Sequence, residues 1–317
     1  MSVSPQLVAE AFRAACLAEL EAIKPGNVHI FADGHGMRVE DFARSAEAAA
    51  APLAMVEASV GERILSAIDA TWQAVGCNTN LGIVLLCAPL ARALQQGCGP
   101  DLRSRLRPVL QALTQKDAAQ AFRAIVRASP AGLGESAQHD VHAAPSVTLL
   151  EAMREASGRD RIALQYASDY ADIFELGVPR HAEAMRRWER PAWATTAVYL
   201  GFLATYDDTH IVRKLGATIA AEVREQAVIH ERAFLAQENP KAYQRELLAF
   251  DADLKARGIN PGTSADLTVA TLFAIKLAEL IADPLATEGP PPAAGNKVRQ
   301  GWLIRLLDAL GWGARDA

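Results

Sequence analysis

The chain has 317 residues, of which 50% are hydrophobic, 22% are charged and 6% are aromatic, and its formal net charge is −5. This is the composition of a globular protein with a helix-favouring bias, and the negative charge argues against nucleic-acid binding, which needs a basic face. No apolar run approaches the ~20 residues that span a bilayer, and the cysteines lack CxxC spacing, so we expect a cytoplasmic protein without a membrane segment.

The first third of the chain is dominated by helical periodicity. Ser4 and Pro5 have the residue types of an N-cap and a first helical position, and an apolar stripe at helical spacing follows as far as Ile23. Lys-Pro-Gly at 24–26 ends this helix. Residues 27–37 are rich in Gly, His and Asp, which predicts a functional loop. Further helices are expected over 39–59 and 64–75.

The next stretch places amides and a hydroxyl directly before an apolar segment. Asn78, Thr79 and Asn80 precede a run from Leu81 that carries no charge until Arg92. Asn and Thr suit the start of a helix, and a helix that is apolar all round must be buried. The pattern predicts a polar helix entrance inside a core, where free N–H groups and the positive dipole end favour anions.

The remaining segments also have helical patterns. Helices are expected over 102–113, 116–129, 145–157, 161–176 and 192–205, as one long helix from 207, and over 247–254 and 264–281, with a Gly/His-rich loop at 130–144. The prediction is therefore an all-α, single domain of roughly ten to fourteen helices over residues 1–288. A Pro/Gly-rich linker and a short helix are expected over 289–317, where apolar residues 302–312 form either a docked helix or a homodimer interface.

Candidate catalytic and binding residues occur where loops meet helices. Asp or Thr at a helix start is more often only a cap, and a lone loop His is usually structural or solvated. Asp266 is different, because a carboxylate early in an apolar helix is costly unless it is paired or binds a metal. Together with Asp208 it suits Mg²⁺, which takes one or two carboxylates with substrate phosphates. The cations Lys24, Arg213 and Lys214 would then hold a polyphosphate.

Six separated blocks of the chain carry a resemblance to a known family. They are KPGNVH (24–29), NTNLGIVLL (78–86), GLG…HDV (132–141), RDRIALQY (159–166), DDTHIVRKLG (207–216) and NPGTSADL (260–267). In this order they resemble the triphosphoribosyl-dephospho-CoA synthase family, in particular a less characterised branch with KPGN and NPGT. The resemblance implies an all-α, Mg²⁺-using enzyme that takes ATP and dephospho-CoA, releases adenine and attaches the triphosphoribosyl unit to a ribose hydroxyl.

The resemblance also implies roles for individual residues. Asp208 and Asp266 match the family's Asp-Thr and Ala-Asp-Leu motifs and are the expected Mg²⁺ ligands. Asp140 is expected, with Asp208, to act in catalysis as base or as stabiliser of positive charge on the sugar. The remaining matched positions are expected to bind substrate or phosphate: Lys24, Asn27, His29, Asn78, Thr79, Asn80, Arg213 and Lys214.

Other functions stay open at this stage. The family usually has an acidic residue before the methionine of its first loop, and this chain has Gly36 there. Either Asp33 substitutes for that acid, or the acceptor differs, for example a pterin-like intermediate of a one-carbon cofactor pathway. The Asp-Asp-Thr sequence at 207–209 also resembles the Mg²⁺ ligands of helical ADP-ribosyl glycohydrolases, for which water would be the acceptor. The last alternative is a nucleotide-binding protein without catalytic activity.

Overall fold

A computed structural model describes residues 3–129 and 145–282. Within these ranges the chain forms fourteen α-helices and no strand, apart from two isolated backbone bridges in the loop before α2. The predicted all-α class and the predicted number of helices are confirmed. The helices are α1 (Pro5–Glu21), α2 (Val39–Leu53), α3 (Val60–Val75), α4 (Leu81–Gln96), α5 (Leu102–Gln111), α6 (Gln115–Ala128), α7 (Leu149–Ala156), α8 (Arg161–Ala167), α9 (Val178–Trp188), α10 (Pro191–Thr205), α11 (Thr209–Leu215), α12 (Ala217–Leu235), α13 (Gln244–Ala256) and α14 (Gly262–Ala282).

Helix α14 is the element around which the others pack. It contacts α1, α4, α10 and α11, and its buried side chains belong to both large apolar clusters of the described chain. One cluster joins α14 to α1 and α4, and the other lies among α10, α12 and α13. Because α14 is apolar on nearly every side, it is stable only inside such a core. Its N-terminal end is therefore held rigidly by neighbours on several sides.

The apolar segment predicted from Leu81 is the buried helix α4, and it contains Pro89. A proline has no N–H group to donate to the carbonyl four residues earlier, which here belongs to Leu85. The hydroxyl of Tyr166 donates to that carbonyl at 2.6 Å, and the hydroxyl of Tyr170 donates to the carbonyl of Leu86 at 2.9 Å. Two buried tyrosines thus supply hydrogen bonds beside the proline. They connect α4 to α8 and to the segment directly after it.

The helix predicted over 161–176 is divided, and this part of the prediction was wrong. Helix α8 ends at Ala167, Asp169 and Tyr170 have positive φ angles of 52° and 59°, and residues Asp172–Gly177 form a π-helix that leads into α9. The left-handed pair turns the chain so that Tyr170 reaches α4. Periodicity cannot reveal this break, because the apolar spacing continues through it.

Several other predicted boundaries differ from the structure, three of them for a clear local reason. The helix expected over 39–59 ends at Leu53, directly after Pro52. The helix expected from 145 begins at Leu149, where Thr148 and Glu151 form a capping box. The long helix expected after 207 is split at Gly216, whose φ of 93° is a conformation that glycine adopts readily. The predicted loop 27–37 is confirmed as a non-helical segment.

The predicted linker and C-terminal helix at 289–317 lie outside the described residues, as does the loop 130–144. No helix of the described ranges is both long enough and apolar enough to cross a membrane.

Candidate functional site

The N-terminal ends of four helices, α4, α8, α11 and α14, lie close together. The backbone N–H of Arg161 at the start of α8 donates to Thr209 Oγ1 at 3.2 Å, and Thr209 Oγ1 lies 3.1 Å from Thr263 Oγ1 at the start of α14. Gly82, the second residue of α4, lies against Asp266 of α14. Each N-terminus carries partial positive charge, so their convergence favours anionic groups. Three carboxylates of these elements interact electrostatically there, namely those of Asp160, Asp208 and Asp266.

Asp208 caps α11 and joins it to α14. Its Oδ1 accepts hydrogen bonds from the backbone N–H groups of His210 (3.0 Å) and Ile211 (3.2 Å). Its Oδ2 accepts from the N–H and the hydroxyl of Ser264 at 2.7 and 2.8 Å. Burial raises the pKa of Asp208, and these four donors lower it. Since a carboxylate has about four acceptor positions, protein donors occupy those of Asp208 in this arrangement. Its predicted metal-binding and catalytic roles stay predictions.

Asp266, the fifth residue of α14, has a different environment. No hydrogen bond or ion pair joins its carboxylate to another residue of 3–129 or 145–282. It is surrounded by protein but keeps part of its surface accessible, as at the bottom of a cleft. Burial raises its pKa well above the usual value, the carboxylates of Asp208 and Glu19 add to this effect, and Arg213 opposes it. The carboxylate that the sequence identifies as costly is therefore the one with free acceptor capacity.

Lys24 forms a buried network that ties two loops together. Its Nζ donates to Glu19 Oε1 in a short contact and to Asn27 Oδ1 at 3.2 Å, and Asn27 Nδ2 donates to Asn260 Oδ1 at 2.8 Å. Lys24 is only 1% exposed. Burial lowers the pKa of Lys24 and raises that of Glu19, while each charge favours the other. The predicted phosphate ligands Lys24 and Asn27 are thus placed beside the site, joining the Lys-Pro-Gly-Asn and Asn-Pro-Gly-Thr loops.

His29 is fully buried on the far side of the same loop. Its Nε2 lies 3.3 Å from Asp251 Oδ2, which also accepts from Lys255 Nζ at 3.0 Å, while Asp251 Oδ1 accepts from the N–H of Gly26 at 2.8 Å. The N–H of Phe31 donates to His29 Nδ1 at 3.3 Å, which places the remaining ring proton on Nε2. The contacts support a role in shaping the loop. Direct substrate binding by His29 stays a prediction.

We expect the buried His29–Asp251 pair to make the protein less stable in mild acid. Burial lowers the pKa of His29 despite its contact with Asp251, so the unfolded chain takes up a proton near pH 6.5 and the folded chain only at lower pH. Stability contributed by neutral His29 is complete above pH 6.5 and is lost as the pH falls toward the folded pKa. We expect urea unfolding to show that His29→Gln reduces the fall in unfolding free energy between pH 7 and pH 5 by up to about 2 kcal/mol. Parallel pH profiles of variant and wild type would contradict this assignment.

The three polar residues before α4 are placed differently from one another. Asn78 Oδ1 accepts from the N–H of Leu81 at 3.2 Å, Thr79 Oγ1 donates to Ser45 Oγ at 2.6 Å, and Asn80 Nδ2 donates to Thr71 Oγ1 at 3.0 Å. Asn78 caps the helix entrance as its residue type predicts, whereas Asn80 occupies the N-cap position without a side-chain cap. Thr79 and Asn80 are buried, so Asn78 is the most accessible of the three.

Asn80 and Glu19 line a small cavity between α1, α2, α4 and α14. The side-chain oxygen Oδ1 of Asn80 is buried and has no hydrogen-bond partner among the described residues. The other lining side chains are mainly apolar: Cys16, Leu20, Phe42, Ala46, Ile83 and Val269. A buried acceptor without a donor is costly, which fits a position that a water or a ligand donor completes.

Arg213 connects the site to α8. Its Nη1 donates to Asp160 Oδ2 at 3.3 Å, and its charge lowers the pKa of Asp266. Lys214 is exposed beside it. The neighbouring Arg161 binds Asp172 through two nitrogens at 2.7 and 3.0 Å. Arg213 is therefore a cation placed at the carboxylate cluster, and its phosphate-binding role stays a prediction.

Several residues that build the site were missed in the sequence. Glu19 lies within the apolar stripe of α1, and an acidic residue on such a face was an available signal. Ser264 and Gly82 have no comparable signal, because their importance comes from distant partners. Asp140 falls outside the described residues. No group of three or more His, Cys, Asp or Glu side chains in 3–129 and 145–282 is arranged to hold a metal ion.

Comparisons with known proteins identify the family of the chain. The sequence model of the CitG family, ATP:dephospho-CoA triphosphoribosyl transferase, matches residues 5–284. A crystal structure of a candidate triphosphoribosyl-dephospho-CoA synthase from Archaeoglobus fulgidus is similar in fold, with a TM-score of 0.57 and 24% sequence identity over 74% of this chain and 97% of that one. The curated proteins give no significant match. Because the family match spans all the helices that build the site, the chain belongs to the ATP:dephospho-CoA triphosphoribosyl transferase family, whose members are pentosyltransferases.

Proposed function

We propose that this protein transfers the triphosphoribosyl unit of ATP to a ribose hydroxyl of dephospho-CoA, in a Mg²⁺-dependent reaction that releases adenine. In this reaction the bond between C1′ and the adenine nitrogen breaks, and a bond forms between C1′ and the acceptor oxygen. The acceptor hydroxyl loses a proton, and the departing adenine gains one. The family match over residues 5–284 is the observation that carries the proposal.

The site has the charges that this chemistry needs. Breaking the bond at C1′ builds positive charge on the sugar, and carboxylates stabilise such charge best where water is excluded. The carboxylate of Asp266 accepts no hydrogen bond from the described residues, it lies near those of Asp208 and Asp160, and Arg213 lies at the same cluster. The cations and the helix N-termini would favour binding of the negatively charged triphosphate. The carboxylates would stabilise the positive charge that develops on the sugar. Asp140 remains the predicted base or stabiliser of positive charge on the sugar.

The residues also fit one Mg²⁺ ion held jointly with the nucleotide. Mg²⁺ needs only one or two carboxylates when phosphates supply other ligands, so a preformed cluster of three protein ligands is unnecessary. Asp266 is the ligand that the contacts favour, and Asp208 would support it by fixing the start of α14. When bound, the ion would neutralise phosphate charge and orient the triphosphate.

The decisive experiment measures adenine and the coupled product together. The full chain is incubated with ATP, Mg²⁺ and dephospho-CoA, and chromatography with mass spectrometry follows both products. We expect equal amounts of adenine and triphosphoribosyl-dephospho-CoA, and neither product after chelation of Mg²⁺. CoA, in which the 3′-hydroxyl is phosphorylated, is the matched acceptor control. Adenine formed only with a different acceptor would overturn the proposed acceptor. Adenine and ribose triphosphate formed from ATP alone would indicate hydrolysis.

A further inference from the structure

Gly82 is the second residue of α4, and its backbone does not require glycine. Its φ is not in the left-handed region, where other residues are strained. Glycine is also one of the poorest helix formers, so alanine would favour α4 more on propensity alone. We therefore ask whether the neighbouring atoms leave room for a Cβ atom at this position.

The space beside Gly82 is occupied by Asp266. A Cβ atom added to Gly82 would lie 2.6 Å from Asp266 Cγ and even closer to Oδ2. No real Cβ makes such a contact, so either the carboxylate or α4 would have to move. Both helices are buried in the same apolar cluster and cannot shift freely.

Gly201 in α10 provides a matched comparison. It also lies inside a buried helix, but the nearest atom to its added Cβ is Glu231 Oε1 at 3.5 Å, an ordinary van der Waals distance. Alanine favours the helical conformation more than glycine does at both positions. Only alanine at position 82 collides with a carboxylate of the site.

We propose that Gly82 is a positioning residue, which lets the Asp266 carboxylate lie against the first turn of α4 and so fixes it for the transfer reaction. Asp266 has no hydrogen bond to hold it within the described chain, and its placement depends on the shape of its surroundings. The backbone of Gly82 supplies one wall of that shape. The role in transfer rests on the proposed function, whereas the steric contact does not.

Activity tests the positioning role. We expect Gly82→Ala to lower kcat for adenine release about 100-fold, because a displacement of about 1 Å at a reacting centre has an effect of this size. Gly201→Ala should keep wild-type kcat. Combining Gly82→Ala with Asp266→Asn should lower kcat no further than Asp266→Asn alone, since both changes remove the same interaction. Wild-type kcat in Gly82→Ala would overturn the proposal.

Thermal unfolding tests the contact without using activity. We expect Gly82→Ala to lower the melting temperature of the wild-type chain but to keep or raise it in the Asp266→Ala background, where the two closest contacts, with Asp266 Oδ2 and Cγ, are absent. If Gly82→Ala fails to fold alone, the double variant should fold. An equal loss in both backgrounds would show that Gly82 serves helix packing in general and would overturn the inference. If the wild-type chain releases no adenine, the proposed function fails, and this coupling still decides whether Gly82 places Asp266.

Discussion

Asp266→Asn is expected to lower adenine release by about 10²–10³-fold, an effect typical of losing one group that stabilises charge in a transition state. The change keeps the size of the side chain and removes its charge. Because no described residue donates to this carboxylate, its charge is available to the substrate or to Mg²⁺. The measurement is kcat at saturating ATP and dephospho-CoA.

The same variant is expected to fold at least as stably as the wild type. Burial and three neighbouring carboxylates raise the pKa of Asp266. Its stabilising contribution is therefore complete at low pH and is lost as the pH rises through the folded pKa. Asparagine has no carboxyl proton to lose. The difference in unfolding free energy in favour of Asp266→Asn should therefore grow with pH in urea unfolding experiments.

Asp207→Asn is the matched control for this prediction. Asp207 lies beside Asp208 in the sequence, but its side chain is 43% exposed and pairs with Arg224 at 2.8 Å. Exposed ion pairs contribute little to stability, so we expect wild-type activity and stability. If Asp207→Asn loses activity while Asp266→Asn keeps it, the assignment of the reactive carboxylate is contradicted.

The fold could be predicted from the sequence wherever burial leaves a periodic pattern. The segment from Leu81 and the helix that contains Asp266 are apolar on all sides, and both are core helices in the structure. Asp266 was recognisable because a carboxylate in such a helix requires a reason. In each case the signal lies within a few turns of one element.

Features that depend on distant partners could not be predicted in this way. Pro89 leaves the carbonyl of Leu85 without its helical donor, and the hydroxyl that satisfies it belongs to Tyr166, 81 residues further along the chain than Leu85. Gly82 looks like an ordinary small residue until Asp266 is placed against it. The sequence pattern shows that a residue is unusual, but it does not show which surface the residue meets.

The two aspartates illustrate this limit most directly. Both follow loop segments, and both were assigned to Mg²⁺ because their motifs match the family's. Their three-dimensional contacts differ sharply, since Asp208 receives four hydrogen bonds and Asp266 receives none within the described chain. The distinction leads to opposite expectations for the same chemical substitution.

Asp208→Asn is expected to destabilise the protein by about 3 kcal/mol. Each oxygen of Asp208 accepts at least one backbone N–H, and these donors cannot reorient. An asparagine amide therefore faces an N–H group with its own NH₂ in either orientation, which leaves a buried donor unsatisfied at a cost of about 1–3 kcal/mol and loses hydrogen bonds to a charge. Relief of the buried charge offsets part of this cost. Urea unfolding at pH 7 measures the difference.

Activity and stability together separate the two roles of Asp208. If it mainly caps α11 and holds α14, Asp208→Asn should lose stability, and the variant that remains folded should retain more activity than Asp266→Asn. If it is instead a metal ligand, Asp208→Asn should keep the wild-type unfolding free energy within about 1 kcal/mol and lose activity as fully as Asp266→Asn. The contacts favour the first outcome, because the lone pairs that a metal ion would need already accept hydrogen bonds from the two helix ends.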